Sequence, residues 1–255
     1  MRLRLGRSVV TITLVSAAAV LGAVFSPPMT TVRAESAGYG QASAVGALFS
    51  LSPSGELGSH FCTASVVDSP AGDLIVTAAH CMARYGAGEV AFVPGYAKGQ
   101  EPFGVWTVTQ IFEDQQWMSS RDPDDDFAFL VVRQPGSHEA IQALTGGEAV
   151  GIDVSAGQRV EVAGYPDLAD APISCANTAL EFSPTQYEFA CGGFTDGTSG
   201  SPLLAGAAPF HGAGTVIGVI GGYEQGGKLA SVSYAARFGA RLAALYRTAL
   251  TAARK

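Results

Sequence analysis

Short β-rich stretches separated by turn residues recur along most of this chain, a spacing that fits sandwiches and barrels and not alternating βαβ units. They fall into two sets of six. The first set runs Ser43 to Leu51, Ser59 to Val67, Asp73 to Ala78, Glu89 to Val93, Val105 to Phe112 and Phe127 to Val132. The second runs Gln158 to Gly164, Thr178 to Phe182, Tyr187 to Cys191, Pro202 to Leu204, Thr215 to Gly222 and Leu229 to Ser233. Between them Pro135 to Gly151 is polar and rich in Gly, Ala and Glu, and reads as the connection between two halves, with room for a short helical turn. The tail from Tyr234 to Ala253 has helical composition, with Phe238, Leu242, Leu245 and Ala249 at spacings of three and four and Arg237, Arg241 and Arg247 on other faces. It is expected to pack by that stripe against the second half.

The N-terminus carries Arg2, Arg4 and Arg7, then an apolar run from Val9 to Phe25, then Val32-Arg33-Ala34 with small residues where signal peptidase requires them. Residues 1–34 therefore read as a secretory signal peptide. A membrane anchor is the rival reading, weakened by the serines and threonines and by the cleavage site. Removal leaves about 221 residues, and with no acids in that segment the charge moves from −7 to about −11. That balance argues against nucleic acid or an anionic membrane as partner. No second apolar span follows.

Cys62, Cys81, Cys175 and Cys191 all lie beyond the cleavage site, and an even count in an exported chain favours disulfides. Three pairings are possible. No two cysteines stand at CxxC spacing, which disfavours a metal site.

Three motifs follow in order: Thr77-Ala78-Ala79-His80-Cys81, Asp126-Phe127-Ala128-Phe129-Leu130 and Gly197-Thr198-Ser199-Gly200-Ser201-Pro202. A serine hydroxyl is too weakly acidic to attack a carbonyl at neutral pH unaided. It needs an imidazole to take its proton and a carboxylate to hold that imidazole. His80 follows an apolar strand and precedes a cysteine that can anchor its turn. Asp122, Asp124, Asp125 and Asp126 cluster around Pro123, and most of these read as solvated loop charges. Asp126 differs because it abuts a run apolar enough to be buried on both faces. A calcium loop is the rival use of the cluster, but the glycine and terminal glutamate of an EF-hand loop are missing. Ser199 sits between Gly197 and Gly200, where missing side chains let a carbonyl approach the backbone.

These three motifs in the order His, Asp, Ser resemble the trypsin and chymotrypsin superfamily, specifically its secreted bacterial branches, from about Val45 to the C-terminal helix. The resemblance implies an all-β fold of two six-stranded antiparallel barrels with a C-terminal α-helix and the active site between the barrels. The organisation expected is a signal peptide over 1–34 and a protease domain over 35–255. Within it the first barrel spans about 43–134, the connection 135–151, the second barrel about 152–233 and the helix 234–253. The resemblance further implies His80 as general base and acid, Asp126 as its orienting partner, Ser199 as nucleophile, and the N–H groups of Gly197 and Ser199 as oxyanion hole. It implies bridges Cys62 to Cys81 and Cys175 to Cys191. The first would close a loop of about 20 residues, worth roughly 3 kcal/mol in the chain-entropy model.

The commoner family motif reads Gly-Asp-Ser-Gly-Gly-Pro, whereas Thr198 precedes and Ser201 follows the nucleophile here. The missing aspartate is the partner of a newly freed N-terminal amine in trypsin-like zymogens. The pattern is closer to that of glutamyl endopeptidases, which also lack the acid and end Ser-Gly-Ser-Pro. Gly193 stands where trypsin carries its pocket aspartate, and the late strand Val216 to Gly222 lacks the histidine of the glutamate-specific enzymes. An uncharged P1 side chain is therefore expected. Gly221, Gly222 and Tyr223 are expected to form one pocket wall and the rail for substrate backbone, with Phe194, Thr195 and Asp196 opposite.

The expectation is a secreted, extracellular, monomeric serine endopeptidase acting on protein or peptide substrate through an acyl-enzyme, without cofactor or metal. A catalytically weak, protease-like binding protein is the alternative, disfavoured by the complete triad. An α/β-hydrolase esterase needs Gly-x-Ser-x-Gly and the chain order Ser, acid, His, and this chain has neither.

Overall fold

The computed structural model describes residues 44–207 and 214–253, and the expected signal peptide lies outside them. Six strands come first: β1 (Val45–Leu51), β2 (Leu57–Val67), β3 (Leu74–Thr77), β4 (Val90–Pro94), β5 (Trp106–Glu113) and β6 (Ala128–Arg133). They pair antiparallel in the order β1-β2-β3-β6-β5-β4, and pairing of β1 with β4 closes the barrel. Next come a two-residue strand, β7 (Ala149–Val150), and the second six: β8 (Gln158–Gly164), β9 (Ile173–Ser183), β10 (Gln186–Phe189), β11 (Pro202–Ala205), β12 (Thr215–Ile220) and β13 (Ser233–Arg237). Their order is β11-β8-β9-β10-β13-β12, closed by β11 against β12, with β7 added parallel to β12. The fold is the pair of six-stranded antiparallel barrels that the resemblance implies.

The continuous apolar run before and through β6 follows from burial on both strand faces. Ala128, Leu130 and Val132 point into the first barrel with Phe92, Trp106 and Val108. Phe127, Phe129 and Val131 point out, into a second cluster that holds Leu204, Val216 and Val219 of the second barrel and Leu242 and Ala249 of the tail. A strand facing solvent on one side would alternate instead. Burying each of these valine, leucine and phenylalanine side chains contributes about 1.5–3 kcal/mol.

The tail departs from expectation in two ways. Residues 233–237 form β13, and the helix (α3) begins only at Ala240 and ends at Ala252. Tyr234-Ala235-Ala236 reads as helical because alanine is the best helix former. Its small side chains instead suit a strand packed tightly beside β12, where Val219 pairs with Ala236 and Ile220 with Ala235. Of the expected strand from Leu229 to Ser233 there remain a single bridge between Leu229 and Val232 and Ser233 itself, which opens β13. Nor does α3 rest on the second half alone. It packs on β5 and β6 of the first barrel, and Tyr246 stacks on Phe129 with ring centroids 5.1 Å apart. The apolar outer face of β6, with Phe127, Phe129 and Val131, is buried by that cover.

Helix α1 (Gln115–Ser120) went unread in the sequence, whereas α2 (Ile141–Thr145) falls within the expected connection, where a short helical turn has room. Asp114 caps α1, its carboxylate accepting from Gln116 N at 2.8 Å. Disulfides join Cys62 to Cys81 and Cys175 to Cys191. Among the described residues no helix is long and apolar enough to cross a membrane.

Candidate active site

β3 ends at Thr77, and the chain turns at once into a 3₁₀ turn, Ala79–Met82, that carries His80. The bridge from Cys81 to Cys62 on β2 fixes this turn from its far side. Asp126 arrives from the neighbouring strand of the sheet, at the end of a second 3₁₀ turn, Pro123–Asp125, that leads into β6. It is fully buried, and both of its oxygens are engaged. Oδ2 lies 2.7 Å from His80 Nδ1 and accepts from Gly222 N at 2.9 Å, while Oδ1 accepts from His80 N at 2.8 Å. An ionised carboxylate only accepts, so this contact places the ring proton on Nδ1 and leaves a lone pair on Nε2.

Ser199 stands in the turn between β10 and β11. Gly200 beside it has φ +83°, and a Cβ there would lie 2.1 Å from Thr63 O and 2.2 Å from Thr77 Oγ1, so only glycine fits. Gly197 has φ +89°, and a Cβ there would lie 2.4 Å from Asp167 N. Thr198, buried where the family's commoner motif has an acid, turns its hydroxyl to Thr195 O at 2.6 Å. His80 and Ser199 line one cleft of about 1250 Å³ between the barrels.

Of the residues expected around the substrate, Phe194, Thr195, Asp196, Gly197 and Gly222 line this cleft, together with Glu224 to Ala230 on the far wall. Gly193, Gly221 and Tyr223 are not among its lining residues. Gly193 N pairs with Ala230 O at 2.8 Å. Gly221 backs onto Asp126, whose Oδ2 would lie 2.9 Å from any added Cβ. Tyr223, expected in the wall and rail, packs its ring on Phe182 and Tyr234, and its N–H donates to Gln186 Oε1 at 2.8 Å. The fully exposed Lys228 ammonium is pushed up by its bond to Glu224, 2.7 Å away, so these two charges at the cleft satisfy each other.

The acidic cluster is anchored where the sequence suggests solvated charges. Asp124 Oδ1 accepts from Gln186 Nε2 at 2.7 Å, and Asp125, buried, pairs with Arg241 on the first turn of α3. Burial is the main force raising the Asp125 carboxyl, reinforced by Asp114 and opposed by Arg241. Gln186 and Arg241 carried no local signal, since their partners stand 62 and 116 residues away along the chain. Cys62, His80 and Cys81 bring ligand-type atoms within 4.8 Å of one another, but the disulfide occupies both sulfurs, so no thiolates are available to a metal.

Two closed barrels, with His80 and Ser199 on the cleft and Asp126 buried behind His80, are the frame of a trypsin-like peptidase, a serine-type protease acting on protein or peptide substrates. Residues 58–219 match the model of the trypsin-like peptidase domain, and the chain belongs to that family. Among solved structures it is similar to the protease Anisep from Arthrobacter nicotinovorans, with TM-score 0.71 and 24% identity over 85% of this chain and 98% of that one. It is also similar to the thermostable serine protease AL20 from an extremophilic microorganism, with TM-score 0.68 and 26% identity over 82% and 98%. A Glu endopeptidase in complex with MPD shares the fold, with TM-score 0.63 and 15% identity over 82% and 91%. No curated protein matches in sequence.

Proposed function

We propose that the chain is a secreted serine endopeptidase that cleaves peptide bonds through an acyl-enzyme, and the observation that carries this reading is the 2.7 Å contact of His80 Nδ1 with buried Asp126 in the cleft that also holds Ser199. His80 Nε2 takes the Ser199 proton as Oγ bonds to the substrate carbonyl carbon. The N–H groups of Gly197 and Ser199 bind the resulting oxyanion. As the C–N bond breaks, the imidazolium returns its proton to the leaving amine, and water repeats the sequence to free the acid. Asp126 stabilises the imidazolium and keeps the ring in place without becoming protonated.

The volume of the cleft, about 1250 Å³, exceeds what one side chain fills and suits a peptide segment, which favours internal cleavage. An uncharged P1 residue fits a pocket whose Glu224 and Lys228 pair with each other and whose Asp196 is exposed. The N-terminal pattern over 1–34 and the two disulfides favour export and an extracellular enzyme.

A fluorophosphonate probe tests the reading. It is expected to label Ser199 in the intact protein and to leave Ser199→Ala and His80→Ala unlabelled, with both variants folded and inactive on a peptide library. Folded protein that binds peptides without cleavage or labelling would establish a protease-like binding protein instead.

A further inference from the structure

The two donors assigned to the oxyanion, Gly197 N and Ser199 N, belong to the peptide planes Asp196–Gly197 and Thr198–Ser199. In a trans peptide the C=O points opposite to the N–H, so whatever grips the preceding carbonyl aims the donor. Both carbonyls are gripped. Asp196 O accepts from Asp167 N at 2.8 Å, and Thr198 O accepts from Ser201 N at 3.0 Å and from Ser201 Oγ at 2.6 Å. The plane between them is held as well, because Gly197 O accepts from Thr63 Oγ1 at 3.1 Å and Thr198 N donates to Thr195 O at 3.1 Å.

Thr63 is fully buried on β2, in the other barrel. Its hydroxyl oxygen accepts from Tyr165 N at 2.9 Å, which leaves its single proton for Gly197 O. Its N donates to Ser199 O at 2.7 Å, and its carbonyl accepts from Thr77 Oγ1 at 2.7 Å, three residues before His80. One residue of the first barrel thus touches the nucleophile turn, the loop at Tyr165 and the strand that delivers the imidazole. Ser201 is equally buried, and it is the second departure from the commoner family motif. Its hydroxyl supplies a contact that glycine cannot.

We propose that Thr63 and Ser201 are positioning residues that hold the oxyanion loop in its working form through hydroxyl-to-carbonyl hydrogen bonds. The proposal rests on the reading of Ser199 as nucleophile. Neither residue meets substrate; each acts through the backbone it fixes. Removing the Thr63 hydroxyl frees the Gly197 carbonyl, whose peptide plane joins the two donor planes, and takes an acceptor from Tyr165 N–H, so the loop between the donors loosens while the His80–Asp126 contact is untouched.

The experiment compares Thr63→Val, Thr63→Ser and Ser201→Ala in the full chain, each checked for fold by thermal melting. Thr63→Val is expected to lower kcat by about 10- to 100-fold with KM within about twofold. Affinity for a peptidyl boronic acid, whose tetrahedral adduct mimics the transition state, is expected to fall by the same factor, while affinity for a product peptide holds. The pH–rate profile stays in place, and Thr63→Ser restores kcat to within about threefold. Ser201→Ala, which keeps the bond from its own N–H, is expected to lose about three- to tenfold in kcat and in boronate affinity. Wild-type kcat and boronate affinity in folded Thr63→Val would overturn the proposal, as would an equal loss of product-peptide affinity. Should Thr63→Val not fold, the same readouts in Ser201→Ala decide. Absence of fluorophosphonate labelling at Ser199 in the unmodified protein fails the underlying reading instead, so the two failures are distinct.

Discussion

Arg241, on the first turn of the C-terminal helix, forms an ion pair with Asp125, the residue immediately before the carboxylate that holds His80. The pair ties the last helix of the chain to the turn that presents Asp126. Arg241→Met leaves a buried carboxylate without its cation, and because the arginine is half exposed and partly screened we expect a loss of about 1–3 kcal/mol in stability. Adding Asp125→Asn is expected to recover most of it, the coupling being read by urea denaturation of both single variants and the double. The sign with pH follows from the raised Asp125 carboxyl. Arg241 stabilises only the charged form, so the deficit of Arg241→Met is full at neutral pH and shrinks as acid protonates Asp125.

Asp126→Asn tests how fully the carboxylate is used. Its oxygens accept from the His80 ring, His80 N and Gly222 N. An amide has one oxygen, so its NH₂ must face at least one of these donors, and the ring is driven to the wrong tautomer. We expect kcat to fall by about 10⁴-fold with the protein still folded. Asp124→Asn, which keeps an oxygen to accept from Gln186 Nε2 and touches no part of the His80 contact, is expected to stay within about tenfold. Steady-state kinetics on a cleaved library peptide distinguish these outcomes.

Glu148 predicts a stability that declines with rising pH. It is buried where the connection joins the barrels: its N donates to Val66 O at 2.9 Å, its carbonyl accepts from Asp68 N at 2.9 Å, and its carboxylate accepts from Gly214 N. Burial pushes the carboxyl from 4.5 up to about 7, with the Gly214 bond opposing and Asp68 and Glu161 adding to the rise. Between these values the native state holds a proton that the unfolded chain has released, so stability falls as pH rises through this window. Glu148→Gln is expected to match the parent at pH 4 and to exceed it by about 2–3 kcal/mol at pH 8, measured by chemical denaturation across the range.

The residues whose context is local were legible in the sequence. His80 announces itself by the strand before it and the cysteine after it, Ser199 by its flanking glycines, and the run from Phe127 by its unbroken apolar character. What stayed hidden depends on contacts between distant segments. Thr63 and Gly197 are 134 residues apart, and a threonine inside a strand carries no mark of the loop it holds. Asp125 looks like a loop charge because Arg241 lies on another element. β13 was obscured by its alanines, whose helical preference yields to packing beside β12. Tyr223 reads as rail, but the competing acceptor, Gln186, comes from a strand that only the closed second barrel brings alongside.

The last prediction concerns the chain terminus. In a trypsin-like zymogen an acid beside the nucleophile pairs with a newly freed amine and thereby orders the oxyanion loop. Thr198 holds that position here, buried, with its N–H and hydroxyl both directed to Thr195 O. The neighbouring carbonyls of Asp196 and Gly197 are already occupied by Asp167 N and the Thr63 hydroxyl. No carboxylate at position 198 remains for an amine to meet. Chains beginning at Glu35, Ala37 and Ser43 are therefore expected to show kcat within about twofold of one another once folded, and acetylation of the new terminus to change nothing. Active-site titration followed by kinetics on all three gives the comparison. Activity that appears only after trimming to one terminal residue, and is lost when its amine is acetylated, would mean that an acid elsewhere in the chain takes the amine and that the threonine contacts alone do not order the loop.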